Sequence, residues 1–369
     1  MEAIQENDII ETDEDTKDMD GYADGAIYPH NMPKEVDIRE EHLTIFEWKR
    51  RLTRELLITD PEFQRNLVWK SAQKSRFIES ILLNIPLPPL YVNQTQNGKY
   101  IIVDGLQRTT TMADFLDDRF ALSDDLTVLT ELCGYKFSGL TQYLQTKIED
   151  KQLLIYLIKP SVPLPMIYDI FERINTGGTQ LTRQEVRNCI FLGPATRLLK
   201  ELAEKPYFKR AIDKGISPKR MKDREAILRY LAFKVLGYEP AYKDDMDDFL
   251  ERALKTIQQM SEVDITALKN DFERVMRLSY QFFGDRNFRL PTTSSRGRIN
   301  IALLEAVSYF FSIQSDEFLR DHKQTIVANY EKLLQTPEFI DTVRFSTGDT
   351  RRVRNRFKLV QEILGDVEC

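Results

Sequence analysis

Apolar and polar positions divide the chain into a β-rich first half and a helical second half. In the first half, short apolar runs between turn residues predict strands at 56–59, 90–93, 100–103, 136–140 and 152–158. Apolar residues at helical spacing predict one helix over 45–52 and a second that runs from Ser71, as its N-cap, to Leu83. These elements predict a small β-rich lobe with helices packed on it.

From Pro194 onward the pattern is almost entirely helical. Apolar stripes predict helices at 194–203, 223–236, 244–260, 264–283, 299–313 and 324–334. The fold class predicted from the sequence is therefore α+β. A β-rich lobe over 36–192 is followed by an all-α C-terminal domain with basic patches over 193–369.

Charge is spread unevenly along the chain. The formal net charge is −6, and residues 1–25 account for −9 of it (ten Asp or Glu against Lys17), which leaves +3 for the rest. We predict that residues 1–35 form an acidic mobile tail. Such a tail either keeps the protein soluble or mimics nucleic acid and covers a basic site, and the sequence does not choose between these roles.

The stretch from Tyr100 to Leu116 predicts a strand, a tight turn and a helix. Asp104-Gly105 ends the strand, and apolar residues then recur at helical spacing. The turn gathers Asp104, Gln107, Arg108 and Thr109. A helix N-terminus attracts anions, Arg108 offers a planar donor fork for phosphate, and Asp104 could hold a metal ion or orient a water. The alternative is an ordinary Asp-Gly turn beside a solvated arginine.

Two further polar segments stand out in the first half. Gln64-Arg65 lies in a loop after Asp60-Pro61, and a helix opening at Pro163 ends near Asn175 in a loop rich in small polar residues. Thr182 and Glu185 have the spacing of a capping box for the next helix. The Asn175 loop could form the floor of an anion pocket, or it could simply connect two helices.

Three basic clusters interrupt the helical half, at 219–224, 294–298 and 344–357. Clusters of this kind contact phosphates, so a polyanion such as DNA is a predicted partner. The candidate nucleic-acid contacts are Arg296, Arg298, Arg351, Arg352, Arg354 and Arg356. The alternative is that these arginines lie on solvated helix faces.

Composition narrows the chemistry. Three cysteines and three histidines, all widely spaced, do not support a disulfide framework, a zinc cluster or a His-based catalytic triad. No apolar run reaches membrane-spanning length and no signal peptide begins the chain, so we expect a cytoplasmic protein with no membrane partner.

Four ordered motifs carry a family resemblance. They occupy 60–69, 78–92, 103–111 and 171–182, and the last reads Phe-Glu-Arg-Ile-Asn-Thr-Gly-Gly-Thr-Gln-Leu-Thr. Together they resemble the N-terminal domain of GmrSD-type modification-dependent restriction enzymes, which has a ParB/sulfiredoxin-like fold. The resemblance covers roughly residues 40–190. It implies nucleotide binding and hydrolysis at an Asp-Gly-Gln-Gln-Arg motif, in systems that defend against phage or other foreign DNA.

The resemblance assigns roles to particular residues. The motif positions fall on Asp104, Gly105, Gln107 and Arg108, with Thr109 next to them; the earlier Gln-Arg pair falls on Gln64 and Arg65, and the later Asn on Asn175. The hypothesis is a nucleoside triphosphate bound with Mg²⁺ on Asp104, with Asp104, Gln107 and Arg108 as the catalytic residues. Leu106 stands where the family usually has the first Gln of the motif. Because leucine is no nucleophile, sulfiredoxin chemistry is not expected.

Nuclease action by this chain alone is not expected. The full restriction enzymes carry a C-terminal nuclease of His-Asn-His type, whereas the second half of this chain contains one histidine, His322. The chain therefore resembles a stand-alone member of the family, with DNA, a separate nuclease or defence-system protein, and a second copy of itself as candidate partners. The main alternative to an NTPase is a non-catalytic DNA-binding or regulatory module that only senses nucleotide or phosphate.

Overall fold

The chain folds into two compact units that divide between Ile190 and Phe191. The computed structural model describes residues 37–58, 69–95, 98–163, 166–168, 170, 182–243, 245–292 and 297–367. The sequence-predicted acidic tail (1–35) lies outside these ranges. Each unit encloses its own hydrophobic core, as expected for separately packed domains.

The first unit is built on a mixed five-stranded sheet. Its strands are β1 (Ile38–Thr44), β2 (Leu57–Ile58), β3 (Leu90–Gln94), β4 (Tyr100–Asp104) and β5 (Gln152–Ile158). Their order in the sheet is β1-β5-β3-β4-β2. The pairs β1–β5 and β3–β4 are antiparallel, whereas β3–β5 and β2–β4 are parallel. β4 therefore lies inside the sheet, with its carboxyl end at the Asp104-Gly105 turn.

Five helices with described bounds accompany the sheet. They are α1 (Ile45–Thr53), α2 (Ser71–Leu82), α3 (Leu106–Leu116), α4 (Gln142–Glu149) and α5 (Arg183–Ile190). Because strand side chains alternate between the two faces, Val92, Ile102 and Ile155 join a larger core with α1 to α4. Val103, Ile158 and Val186 of α5 belong to a smaller core, to which Tyr91 is adjacent. Helices α1 to α4 thus pack on one face of the sheet, and among the described residues α5 and Ile167 pack on the other.

A buried carboxylate fixes the loop that follows α3. Glu79 of α2 is 4% exposed and accepts hydrogen bonds from the backbone N–H groups of Thr127, Val128 and Leu129. Burial opposes ionisation of Glu79, but these donors outweigh it, so the pKa of Glu79 is lowered. The ionised carboxylate therefore ties the 127–129 segment to α2.

In its described residues, the second unit is helical apart from an isolated bridge between Arg289 and Ile299. Its α-helices are α6 (Pro194–Glu204), α7 (Pro206–Ile212), α8 (Lys222–Leu236), α9 (Met246–Gln258), α10 (Glu262–Phe283), α11 (Ile301–Ile313), α12 (Asp316–Asp321), α13 (Lys323–Leu333), α14 (Pro337–Arg344) and α15 (Thr350–Gly365). They enclose one large apolar core. None of the described helices is long and apolar enough to cross a bilayer. The sheet and this helical unit confirm the α+β fold class.

Several local predictions differ from the structure. Residues 136–140 form a 3₁₀ turn over Phe137–Gly139, so the strand predicted there is wrong. α2 is capped one residue earlier than predicted: the N–H of Lys70 donates to Gln73 Oε1, and Ser71 is already helical. The capping box of α5 is confirmed by reciprocal bonds between Thr182 and Glu185.

Candidate functional site

A bulge at the end of β4 positions Asp104. Tyr91 pairs with Asp104 and Val92 with Ile102, so Val103 is an extra residue in β4. A β-bulge bends its strand and re-aims the side chains beside it. Here the carboxylate of Asp104 lies opposite Tyr91, and its side chain is 38% exposed.

Gly105 makes the turn between β4 and α3. Its φ of 98° is in the left-handed region that favours glycine, and a Cβ at this position would clash with Leu90 Cδ2. α3 begins at the next residue, and no side chain caps its N-terminus. The first N–H groups of a helix have no intrahelical acceptor, and in α3 no capping side chain replaces it; the positive end of the helix dipole lies one residue beyond Asp104.

Arg108 connects three segments around this turn. Its Nη2 donates to Asp104 Oδ2 at 2.9 Å and to the carbonyl of Pro89 at 3.0 Å, while Nη1 donates to the carbonyl of Pro88. Burial lowers the pKa of Arg108, and the adjacent Asp104 favours its charged form. Because arginine's ordinary pKa is very high, the guanidinium remains charged. Arg108 thus brings a positive charge to the site while it ties the proline segment to Asp104.

Two tryptophans fix the first turns of α3. The backbone N–H of Trp69 donates to Gln107 Oε1 at 3.1 Å, and Trp48 Nε1 donates to Thr109 Oγ1 at 3.0 Å. Thr109 is 1% exposed, and its N–H donates to the Gly105 carbonyl inside the helix. The prediction that Thr109 binds nucleotide is therefore corrected, because both of its polar groups are buried and bonded within the protein.

Leu106 packs inward from the first position of α3. Its half-buried side chain lies against the larger core. An apolar residue suits this position, since the side chain contacts other apolar groups on the helical side of the sheet. The departure from the family motif therefore falls on a core contact.

Asp104 is the residue predicted to hold Mg²⁺. Magnesium in nucleotide sites is commonly bound by one or two carboxylates together with substrate phosphates and water, so a single aspartate fits this donor set. Within the described ranges, no group of three or more His, Cys, Asp or Glu side chains could hold a metal ion. Asp104 Oδ1 has no bonded partner among those residues, while Oδ2 is paired with Arg108. Of the two carboxylate oxygens, Oδ1 is therefore the one open to a cation.

Tyr91 and Tyr156 were missed by the sequence analysis. Their rings lie side by side on β3 and β5, with centroids 5.2 Å apart and planes inclined by 30°. Burial raises the pKa of Tyr91, and the nearby Tyr156 and Asp104 add to the rise. The sequence did contain a signal for Tyr91. Side chains alternate between the two faces of a strand, so the odd-numbered positions of 90–93 share the face opposite the larger core.

Three predicted nucleotide contacts lie outside the described residues. These are Gln64, Arg65 and Asn175. The structure therefore brings together Asp104, Gly105, Gln107 and Arg108 and leaves the other three as predictions from the sequence.

The predicted nucleic-acid contacts in the C-terminal segment differ in their surroundings. Arg356 is fully buried, where it bonds to Glu305 and to the carbonyls of Thr342 and Thr347. Burial lowers the pKa of Arg356, and the adjacent carboxylate of Glu305 opposes this shift. The prediction that Arg356 contacts nucleic acid is wrong, because its guanidinium lies in the core of the helical unit.

The other arginines of α15 are closer to the surface. Arg352 is ion-paired with Asp341 at 2.8 Å, and Arg354 with Glu239 at 3.2 Å. Arg351 is exposed and has no ion pair among the residues that the structure describes. Of the arginines of α15, Arg351 alone combines exposure with an unpaired charge in the described part of the chain. In the 294–298 loop, Arg296 is outside the described residues, and Arg298 lies at the boundary of the described part.

Comparison with known proteins places the first unit in a family. Residues 45–192 match the family model of the GmrSD restriction endonuclease N-terminal domain. No curated protein matches the chain. The matched range begins with α1 and includes the sheet from β2 onward, the β4–α3 turn and α5. Residues 45–192 of this chain are therefore a GmrSD restriction endonuclease N-terminal domain.

Proposed function

We propose that the first unit binds a nucleoside triphosphate with Mg²⁺ at the β4–α3 turn and hydrolyses it. The proposed setting is a restriction or anti-phage defence system that acts on DNA, because the domain family is that of a restriction endonuclease. The second unit carries no clustered metal-binding side chains in its described part, so cleavage of DNA is assigned to a separate nuclease partner.

One observation carries the proposal. The exposed carboxylate of Asp104 lies at the carboxyl end of β4, one residue before the uncapped N-terminus of α3. A helix N-terminus after a strand and a glycine turn favours phosphate, while a carboxylate beside it favours the cation that accompanies phosphate. The turn therefore combines complementary features for both parts of a metal–nucleotide complex.

The residues around the turn have distinct proposed roles. Asp104 would hold Mg²⁺, and the ion when bound would neutralise charge on the phosphates. Gln107 is held through its Oε1 by the backbone of Trp69, which leaves its amide N–H groups to donate to a phosphate or to the attacking water. Arg108 contributes positive charge at the edge of the site.

The rival function is a module that senses nucleotide or phosphate without turnover. The contacts of Arg108 favour this sensing function. Its guanidinium is already bonded to three acceptors, so it cannot easily reorient toward the negative charge that develops in a transition state. Turnover is the measurement that separates the two functions.

The test is phosphate release by the purified full-length chain with each common nucleoside triphosphate and Mg²⁺, with and without DNA. Asp104→Asn keeps the size of the side chain and removes its charge. We expect turnover to fall at least about 100-fold, the usual scale for losing one group that stabilises transition-state charge. The matched control is Asp124→Asn, since Asp124 is exposed in a turn on the loop after α3.

Two results would contradict the catalytic assignment. Turnover by Asp104→Asn at the rate of the parent protein removes Asp104 from the mechanism. Nucleotide binding without any turnover by the parent protein supports the sensing module instead.

A further inference from the structure

A row of four side chains crosses the sheet at the level of Asp104. Asp104 of β4 pairs with Tyr91 of β3, Tyr91 with Tyr156 of β5, and Tyr156 with Glu40 of β1. Residues in register on neighbouring strands project from the same face. The two phenol rings thus lie between two carboxylates, on the face opposite the larger core.

The tyrosine pair is open to solvent on one side. Both rings are half-buried, and neither phenol hydroxyl has a hydrogen-bond partner among the residues that the structure describes. Buried tyrosines normally bond their hydroxyl within the protein, so these two do not have the usual surroundings of core residues. With centroids 5.2 Å apart and planes inclined by 30°, the two rings partly stack on each other, which leaves aromatic surface of the pair available to a further ring.

The distance from the β4–α3 turn suits a nucleotide. Neighbouring strands lie about 4.8 Å apart, so the Tyr91 ring is one strand and the Tyr156 ring two strands from Asp104. A ligand whose phosphates lie at the N-terminus of α3 can therefore extend its base along the row toward Glu40. Aromatic side chains on a sheet face are a recurring means of binding bases by stacking.

We propose that Tyr91 and Tyr156 bind the base of the nucleotide whose phosphates lie at the β4–α3 turn, and that the base is a purine. This inference rests on the proposed function. A purine is favoured because its fused rings stack over a larger aromatic area than the single ring of a pyrimidine. Glu40, whose side chain is 54% exposed, accepts from a base N–H at the far end of the row.

The test separates the base from the phosphates. Binding of non-hydrolysable ATP, GTP and UTP analogues and of inorganic tripolyphosphate is measured by calorimetry in the presence of Mg²⁺. We expect Tyr91→Leu and Tyr156→Leu each to weaken binding of the purine analogues by about 10- to 100-fold, the loss of one base–aromatic stack. Tripolyphosphate binding should not change, which also shows that the variants are folded.

Two control variants sharpen the result. Tyr91→Phe keeps the ring and should bind the purine analogues within about 3-fold of the parent protein, because stacking uses the ring face. Tyr143→Leu removes a tyrosine that is 72% exposed on α4 and should change nothing.

The inference is overturned if Tyr91→Leu and Tyr156→Leu leave purine binding unchanged, or if they weaken tripolyphosphate equally. It is also overturned if the uridine analogue binds as tightly as the purine analogues. The same holds if Tyr91→Leu weakens the binding of single-stranded DNA and of no nucleotide. If the parent protein binds neither nucleotide nor tripolyphosphate, the proposed function fails and this inference fails with it. If nucleotide turnover is unchanged in both leucine variants, the base site is rejected and the proposed function stands.

Discussion

Replacing Arg356 by alanine should destabilise the helical unit severely. Its guanidinium is fully buried and bonds to Glu305 and to two backbone carbonyls. Breaking a buried ion pair by removing one partner typically costs about 3–5 kcal/mol, because the remaining partner stays in the core with an unmet charge. Arg229, which bonds to Glu305 at 2.9 Å, compensates for part of that charge. We therefore expect a loss of about 3 kcal/mol, at the lower end of the range.

Urea denaturation is the assay. With a slope of about 2 kcal/mol per M, a loss of about 3 kcal/mol moves the midpoint down by about 1.5 M. Both tryptophans of the chain, Trp48 and Trp69, lie in the first unit, so their fluorescence follows that unit. Far-UV circular dichroism is dominated by the helical unit, and the shift is expected in this signal.

Arg351→Ala is the matched control, because Arg351 is exposed in the first turn of the same helix. Its midpoint should remain within the effect of an ordinary surface substitution, about 0.5 kcal/mol. If Arg356→Ala unfolds at the same urea concentration as Arg351→Ala, the reasoning from burial is refuted. Arg351→Ala is also the variant with which DNA contact by α15 should be tested, since it leaves the core intact.

Three further predictions concern the first unit. Gly105→Ala should lower the melting temperature and abolish nucleotide binding, because the new Cβ would clash with Leu90 at a positive φ; Gly98→Ala, with a φ of 76° and open space around it, should retain binding. Leu106→Gln, which restores the family motif, should cost about 1 kcal/mol in urea denaturation and leave nucleotide affinity unchanged, and a gain in affinity would show that this side chain faces the ligand. Glu79→Gln should lower the free energy of unfolding by about 1.5–3 kcal/mol at pH 7. Because the pKa of Glu79 is lowered below 4.5 in the folded state, its contribution is present above that pH and is lost as the pH falls through the folded pKa; a deficit of Glu79→Gln that does not shrink as the pH falls below 4.5 would contradict this.

The turn at the centre of the site could be predicted from sequence because its signals are local. An apolar run, an Asp-Gly pair and helical spacing determine β4 and α3 to within one residue. β1 gave no such signal, since Arg39-Glu40-Glu41-His42 is charged and largely exposed. That strand exists because its backbone pairs with β5, a partner more than 100 residues away. Tertiary pairing overrides local propensity there.

The position of Arg356 could have been found in the same pattern that predicted helices. Val353, Phe357, Val360 and Leu364 mark the buried face of α15, and position 356 lies on that face next to Phe357. The charge of the 344–357 cluster predicted a nucleic-acid contact, whereas the periodicity of its apolar residues places Arg356 on the buried face of the helix. The tyrosine row is different: it depends on the register of four strands and on a bulge, neither of which local sequence specifies.

The hydrogen bonds of Arg108 would make the proposed binding of a cation at Asp104 an exchange reaction. Asp104 already has a counterion, so an incoming ion competes with a tethered guanidinium for one carboxylate. The measured affinity then contains the free energy of separating Arg108 from Asp104. The tether also bonds to the carbonyls of Pro88 and Pro89, which lead directly into β3 and its Tyr91. In the proposed site, metal occupancy at Asp104 and the placement of the tyrosine row would be linked through this single side chain. Arg108→Lys, with its one ammonium group, would weaken that linkage while preserving the charge.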